Sequence, residues 1–213
     1  MTEAALRREI IATALKMNAL GINRGKSGNV SARIEAGFLV TPTGLAYEST
    51  QPADVVAMTL DGEARGSRLP SSEWRFHRDI YAARAEVSAI VHAHSPFATT
   101  LACLGRDIPA FHYMIAVAGG KDIRCAPYAT FGTQTLSDHA LHALAGRKAC
   151  LLANHGMIAV GATTTDALAL AVEVEALAEQ YWRALQIGEP NILSDSEMDV
   201  VLAKFASYGQ PKV

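Results

Sequence analysis

The chain opens with an apolar stripe at helical spacing. Leu6, Ile10 and Leu15, with Ala14 and Met17 beside them, predict a helix that stops where Gly21 follows Leu20. The period then shortens. After a polar, glycine-bearing loop over 24–29, the runs 30–34 and 38–41 predict two strands joined at Glu35-Ala36-Gly37, and 55–60 before Asp61-Gly62 predicts another. Residues 71–84 return to helical spacing, with Trp74, Ile80 and Tyr81 available to pack and Ser71 or Ser72 to cap. Residues 89–94 read as a strand, and Ser95-Pro96 starts a short helix through Leu104. The runs 113–117 and 123–125 predict strands around Gly119-Gly120, 133–144 a helix, and 149–153 and 157–160 strands separated by Asn154-His155-Gly156. The longest helix is expected over 164–187, with Thr163 and Asp166 as its cap and Gly188 and Pro190 as its stop. A last helix over 196–205 precedes a tail from about 206 that is expected to be mobile.

Helices and strands alternate without repeats, low-complexity tracts or an extended linker, which predicts one mixed α/β domain over 1–213. Half of the 213 residues are apolar, so a sizeable core can form. Nineteen basic against twenty-one acidic side chains leave a net charge of −2, which argues against a nucleic-acid binder or a polybasic membrane-surface protein. No apolar run reaches the ~18–20 residues of a membrane span, and the N-terminus is charged where a signal peptide needs its apolar stretch. Cys103, Cys125 and Cys150 are odd in number and lack CxxC spacing, which disfavours a disulfide framework or a cysteine-rich zinc module. A cytoplasmic location with reduced thiols is expected.

The sharpest chemical pattern is His92-Ala93-His94 at the end of an apolar strand. Side chains two apart on a strand share a face, so two imidazoles can converge on one metal without backbone distortion. His155, at a strand end beside Gly156, is the candidate for a third nitrogen, although a turn histidine bonded to backbone reads the same way in one dimension. Glu73 sits at a helix start, where a carboxylate complements the dipole. Beside apolar Trp74 and near a metal, its pKa is instead expected to rise and the group to shuttle a proton. His77, His112, His139 and His142 have no partner at informative spacing and read as helix, loop or core residues.

Three polar loops, Ser27-Gly28-Asn29, Thr43-Gly44 and Ser71-Ser72, combine backbone N–H groups with hydroxyls and together suit a phosphate; each singly suits a turn or cap. A nucleotide P-loop is excluded. Gly25-Lys26-Ser27 imitates its end, but position 20, where the first glycine belongs, is a leucine.

Taken in order, Pro70-Ser71-Ser72-Glu73-Trp74-Arg75-Phe76-His77, His92-Ala93-His94, His112-Tyr113-Met114, the stretch 126–132 and Asn154-His155-Gly156 resemble the class II aldolase/adducin family over nearly the whole chain. The resemblance is closest to its members acting on L-fuculose 1-phosphate and on 5-deoxyribulose or methylthioribulose 1-phosphates. It implies a three-layer α/β/α domain around a mostly antiparallel mixed sheet, assembled as a cyclic homotetramer. It implies zinc, or another divalent ion such as Mn2+ or Co2+, on His92, His94 and His155, and a catalytic carboxylate at Glu73. The family's phosphate pocket maps onto Gly28, Asn29, Thr43, Gly44, Ser71 and Ser72, and a tyrosine from the neighbouring subunit onto Tyr113. Tyr208 is the one candidate for a tail tyrosine that related enzymes use, in a segment that diverges. The implied reaction is reversible cleavage of a ketose 1-phosphate into dihydroxyacetone phosphate and a small aldehyde. Asn154 beside the third histidine and Lys26 before the phosphate loop depart from the family pattern.

Rival readings are distinguished by residues. Epimerases of the same superfamily tend to carry aspartate where Glu73 stands. Its dehydratases differ around Ser-Ser-Glu-Trp-Arg-Phe-His, and a decarboxylase needs a carboxylate-binding group that is not evident. Adducin-type heads are expected to lack the three histidines. A metallohydrolase on a (β/α)8 barrel needs about 250 residues.

Overall fold

Helix α1 (Glu3–Ala19) begins where the Thr2 side chain accepts the Ala5 N–H, and ends at Gly21 with φ of 75°. The computed structural model describes residues 2–207. After α1 come the hairpin β1 (Asn29–Ile34) and β2 (Gly37–Val40), then β3 (Val56–Met58), β4 (Ala64–Arg65) and α2 (Trp74–Ala83). There follow β5 (Ala89–Ala93), α3 (Pro96–Cys103), β6 (Cys125–Ala126), α4 (Gln134–Ala143), β7 (Ala149–Leu152) and β8 (Gly156–Gly161). Helices α5 (Thr164–Ile187) and α6 (Asp195–Ala206) complete the described chain.

The strands form one eight-stranded sheet in the order β4-β3-β2-β1-β5-β8-β7-β6. Every pairing is antiparallel except β6 with β7. Period-two alternation splits the core between the two faces. Val30, Ala32, Val91 and Met157 pack with α1, α3 and α5, whereas Phe38, Ile90, Leu152 and Ile158 pack with α2 and α4. Burying each large apolar side chain stabilises the fold by about 1.5–3 kcal/mol. The result is a three-layer α/β/α arrangement with β5, the strand of the histidine pair, near the middle of the sheet.

The structure corrects several boundaries. The run expected as a strand over 113–117 is a 3-10 helix, Tyr113–Ala118. His112 Nδ1 accepts the Met114 N–H at 3.2 Å, and Gly119 with φ of 86° ends the turn, so local capping overrides an apolar run of ambiguous period. Ile123 pairs only through an isolated bridge to Ile108, and β6 begins at Cys125. The strand expected over 55–60 shortens to Val56–Met58, and the two-residue β4 carries no sequence signal. Helix α2 starts at Trp74 rather than Ser71, because the Ser71 carbonyl and hydroxyl accept the Trp74 and Glu73 N–H groups. Among the described residues no helix is long and apolar enough to cross a membrane, and all three cysteines are free. The tail beyond 207, including Tyr208, lies outside the described residues.

Candidate active site

Sheet register assembles the site. Asn29 of β1 lies opposite His92 of β5, and antiparallel pairing sets Ala93 against Met157 of β8. His155 precedes β8 in a tight turn closed by its N–H to the Leu152 carbonyl at 3.0 Å. Asn154 takes the left-handed position of that turn with φ of 56°, a conformation asparagine tolerates. Gly156 permits the close approach: a Cβ there would stand 2.5 Å from the Ala93 carbonyl oxygen and 3.0 Å from His94 Cδ2. Strand pairing thus brings together histidines 61 positions apart, the link that spacing alone could not supply.

The three imidazoles form a near-equilateral set. Ring centroids are 4.9 Å (His92–His94), 4.8 Å (His92–His155) and 4.8 Å (His94–His155) apart, with interplanar angles of 76°, 71° and 80°. His92 Nε2 and His94 Nε2 stand 3.0 Å apart. Two nitrogens bonded to one zinc at about 2.0–2.1 Å in a tetrahedron are separated by about 3.3 Å, so the spacing suits a shared ion. His92 Nδ1 donates to the Met157 carbonyl at 2.9 Å, which leaves Nε2 as the acceptor that a metal requires. Glu73 closes the set, with Oε2 3.1 Å from His92 Nε2 and Oε1 3.1 Å from His155 Nε2. One donor atom from each of the four residues lies within 4.8 Å of the others. Glu73 Oε1 is buried without a well-aligned hydrogen-bond partner, an orphan acceptor aimed at the imidazoles. Three imidazoles and a carboxylate fit a divalent ion such as zinc.

The electrostatics reverse one expectation. Burial pushes the Glu73 carboxyl up, but His92 and His155, when they carry protons on the nitrogens facing it, outweigh burial and hold the group well below the usual carboxylate range. The Glu73 side chain also does not cap α2; it turns toward the histidines. Burial, reinforced by His92 and His155, lowers His94 to about 3, so its imidazole is neutral and competent as a ligand.

A cavity of about 360 Å3 opens over the cluster, lined by Lys26, Ser27, Ser72, Glu73, His94, Tyr128, Ala129, Phe131, Asn154 and His155. Of the six residues expected to hold phosphate, Ser72 lines it directly. Gly28, Asn29 and Ser71 are buried, whereas Thr43 and Gly44 lie exposed on the adjoining loop. Backbone bonds join these loops: Ser71 N–H to the Thr41 carbonyl at 3.0 Å and Thr43 N–H to the Leu69 carbonyl at 3.1 Å. Lys26 Nζ donates to the Gly44 carbonyl at 2.8 Å, and the Tyr47 hydroxyl to the Gly28 carbonyl. A Cβ at Gly28 would stand 2.5 Å from the His92 carbonyl, so this loop can lie against β5 only with glycine there. The Asn29 amide donates to Glu73 Oε2 at 3.0 Å and its Oδ1 meets His77 Nε2 at 2.6 Å.

Tyr113 does not line this cavity in its own chain. It is 52% exposed, stacked between His112 and Phe205, in a separate groove against α6. In the sequence His77 reads as a helix or core residue without a partner at informative spacing. Its position four residues after Glu73, on the same helical face, was the available signal. Tyr128 and Phe131 carried no assigned role because loop packing has no period.

Residues 8–182 match the Class II Aldolase and Adducin N-terminal domain. A 5-methylthioribulose-1-phosphate/5-deoxyribulose-1-phosphate aldolase of Rhodospirillum rubrum is 60% identical over 205 residues, 96% of this chain and 93% of that protein. An L-fuculose phosphate aldolase of Escherichia coli K12 is 50% identical over 210 residues, 98% of each chain. The solved structure of an L-fuculose 1-phosphate aldolase superposes with a TM-score of 0.93 at 41% identity, covering 97% of this chain and 98% of that one. The match along the chain and the fold agree with the gathered Glu73 and histidine cluster: the chain belongs to the class II aldolase and adducin family and is a class II aldolase.

Proposed function

We propose that this aldolase reversibly cleaves a ketose 1-phosphate, either L-fuculose 1-phosphate or a 5-deoxy or 5-methylthio pentulose 1-phosphate, into dihydroxyacetone phosphate and a small aldehyde. The observation that carries this reading is the Glu73 carboxylate set among three imidazoles, with Glu73, His94 and His155 lining one cavity. His92, His94 and His155 would hold one zinc ion per chain, or Mn2+ or Co2+ in its place. When bound, the ion supplies a Lewis acid for the carbonyl and hydroxyl oxygens of the substrate.

Glu73 then has the proton-moving role. In condensation the ionised Glu73 removes a proton from the carbon of dihydroxyacetone phosphate; in cleavage it first takes a proton from solvent through the open cavity and then delivers it to the carbon left when the C–C bond breaks. Asn29, Ser71, Ser72, Thr43 and the backbone at Gly28 and Gly44 form the phosphate cradle. Lys26, tied to Gly44 at the cavity mouth, adds a positive charge there. Tyr113 serves the site of the adjacent subunit in a homotetramer, exchanging a proton with the hydroxyl that becomes the aldehyde oxygen. Its exposure and its absence from the cavity lining of its own chain support that assignment. The enzyme acts on soluble sugar phosphates in the cytoplasm.

Cleavage of L-fuculose, 5-deoxyribulose and methylthioribulose 1-phosphates is to be compared side by side by coupled detection of dihydroxyacetone phosphate. At least one is cleaved, and chelation abolishes it; full activity of metal-stripped protein overturns the reading. Glu73→Gln loses exchange of the dihydroxyacetone phosphate C–H proton with solvent, whereas Tyr113→Phe impairs cleavage more than exchange.

A further inference from the structure

We propose that Asn29 and His77 are positioning residues for Glu73, the last members of a buried hydrogen-bonded chain of fixed polarity that begins at Tyr81. The inference rests on the acid/base role of Glu73 proposed above. The chain runs Tyr81 hydroxyl to Ser31 Oγ at 2.7 Å, Ser31 Oγ to His77 Nδ1 at 2.7 Å, His77 Nε2 to Asn29 Oδ1 at 2.6 Å and Asn29 Nδ2 to Glu73 Oε2 at 3.0 Å. All five residues are buried.

Their meeting follows from two periods that match. Glu73, His77 and Tyr81 are four apart and form one stripe at the start and along the inner face of α2. Asn29 and Ser31 are two apart and share one face of β1. Four helical residues rise about 6 Å and two strand residues about 6.6 Å. Each strand side chain therefore fits between two helix side chains: Asn29 between Glu73 and His77, Ser31 between His77 and Tyr81. Phe38 and Phe76 flank the His77 ring at centroid distances of 6.5 and 4.6 Å and exclude water from it.

The direction of the chain is set by its end. The Asn29 amide nitrogen, which only donates, faces Glu73 Oε2, and its carbonyl oxygen, which only accepts, faces His77 Nε2. His77 must then carry its proton on Nε2, leaving Nδ1 to accept from Ser31, whose oxygen accepts from Tyr81. Reversing any link turns the Asn29 carbonyl oxygen against a Glu73 carboxylate oxygen, two acceptors in contact. Burial lowers His77 to about 3, so it stays neutral and holds one donor and one acceptor. With Oε2 anchored in this way, Oε1 is the Glu73 oxygen left for the reacting end of the site.

Two measurements test this, and one does not depend on turnover. In zinc-loaded protein carrying 15N-labelled histidine, His77 is expected as the Nε2–H tautomer; an Nδ1–H tautomer overturns the chain whatever the substrate proves to be. Kinetically, His77→Leu is expected to lower kcat and C–H exchange about 10–100-fold, with KM and zinc content unchanged. His77→Gln, which can return a donor near Nε2, recovers most of the loss. Equal loss in both variants, or a rise in KM at unchanged kcat, overturns the positioning role. If His77→Leu does not fold, Ser31→Ala, which removes the donor to Nδ1, carries the same expectation. Absence of cleavage of every ketose phosphate would overturn the function proposed above, and the tautomer would still decide the chain.

Discussion

Glu175 is a carboxylate in the middle of α5, 9% exposed, and it does the work of a helix cap for a different helix. Its Oε2 accepts from the Ser95 hydroxyl at 2.6 Å and the Ala98 N–H at 2.9 Å, and its Oε1 from the Phe97 N–H at 2.8 Å. Ser95, at the N-cap position of α3, makes no capping bond of its own. Strand β5 ends at Ala93, so His94 and Ser95 alone connect it to α3, and Glu175 holds the second of them. Glu175→Ala leaves two N–H groups and a hydroxyl without acceptors. Each buried orphan costs about 1–3 kcal/mol, relieved in part by water at half-buried Phe97, so the expected loss is about 3–5 kcal/mol. For a domain of this size that lowers Tm by on the order of 10 °C. Glu175→Gln keeps the shape and one acceptor and is expected to lose about half as much. Guanidinium unfolding of metal-free protein measures this loss, and zinc titration measures its reach: freed of Ser95, His94 loosens and affinity falls about tenfold. A loss below ~1 kcal/mol for alanine, or glutamine as damaging as alanine, refutes the carboxylate-cap account. Lost stability with unchanged zinc affinity refutes its coupling to His94.

Gly156→Ala drives a methyl toward the Ala93 carbonyl and His94 Cδ2, and is expected to lower zinc affinity about 10–100-fold, measured by competition with a chromogenic chelator. Because burial holds His77 neutral down to about 3, its protonation below the unfolded value near 6.5 favours the unfolded chain. Stability contributed by the neutral ring is therefore present above that value and falls by about 1.4 kcal/mol per pH unit between 6.5 and 3, as shown by a smaller acid loss of urea stability in His77→Gln than in wild type. Adding zinc at 100 times its Kd to stripped protein is expected to stabilise it by about 2.7 kcal/mol, seen as a higher Tm that Glu73→Gln largely retains and His94→Ala loses.

Strand and helix periods made much of this site legible. His92 and His94 share a face because they are two apart on a strand, and α5 spans the residues that Thr163 and Gly188 mark. The short 3-10 helix at Tyr113 was not legible, since an apolar run of five residues fits a strand equally well until the His112 ring caps it. The position of His155 beside His94 depended on β8 returning antiparallel to β5, a pairing that no local pattern states. The resemblance to the family bridged that gap; the register and the glycine at 156 give its physical cause.

Glu73 marks the boundary between what neighbours in the chain and neighbours in space can tell. From the chain, its neighbour is Trp74, and an apolar neighbour argues for a raised pKa. In the fold, the Trp74 ring carries the guanidinium groups of Arg75 and Arg78, while Glu73 faces His92, His155 and Asn29. Burial still opposes its charge, but the two imidazoles, when protonated, favour the anion more strongly, and the Asn29 N–H donates to it. The same geometry explains why His77 went unassigned. A histidine four residues along a helix gains a role only when a strand with asparagine and serine two apart lies against that face. Function at this site therefore resides as much in the match between α2 and β1 as in the histidine motif itself.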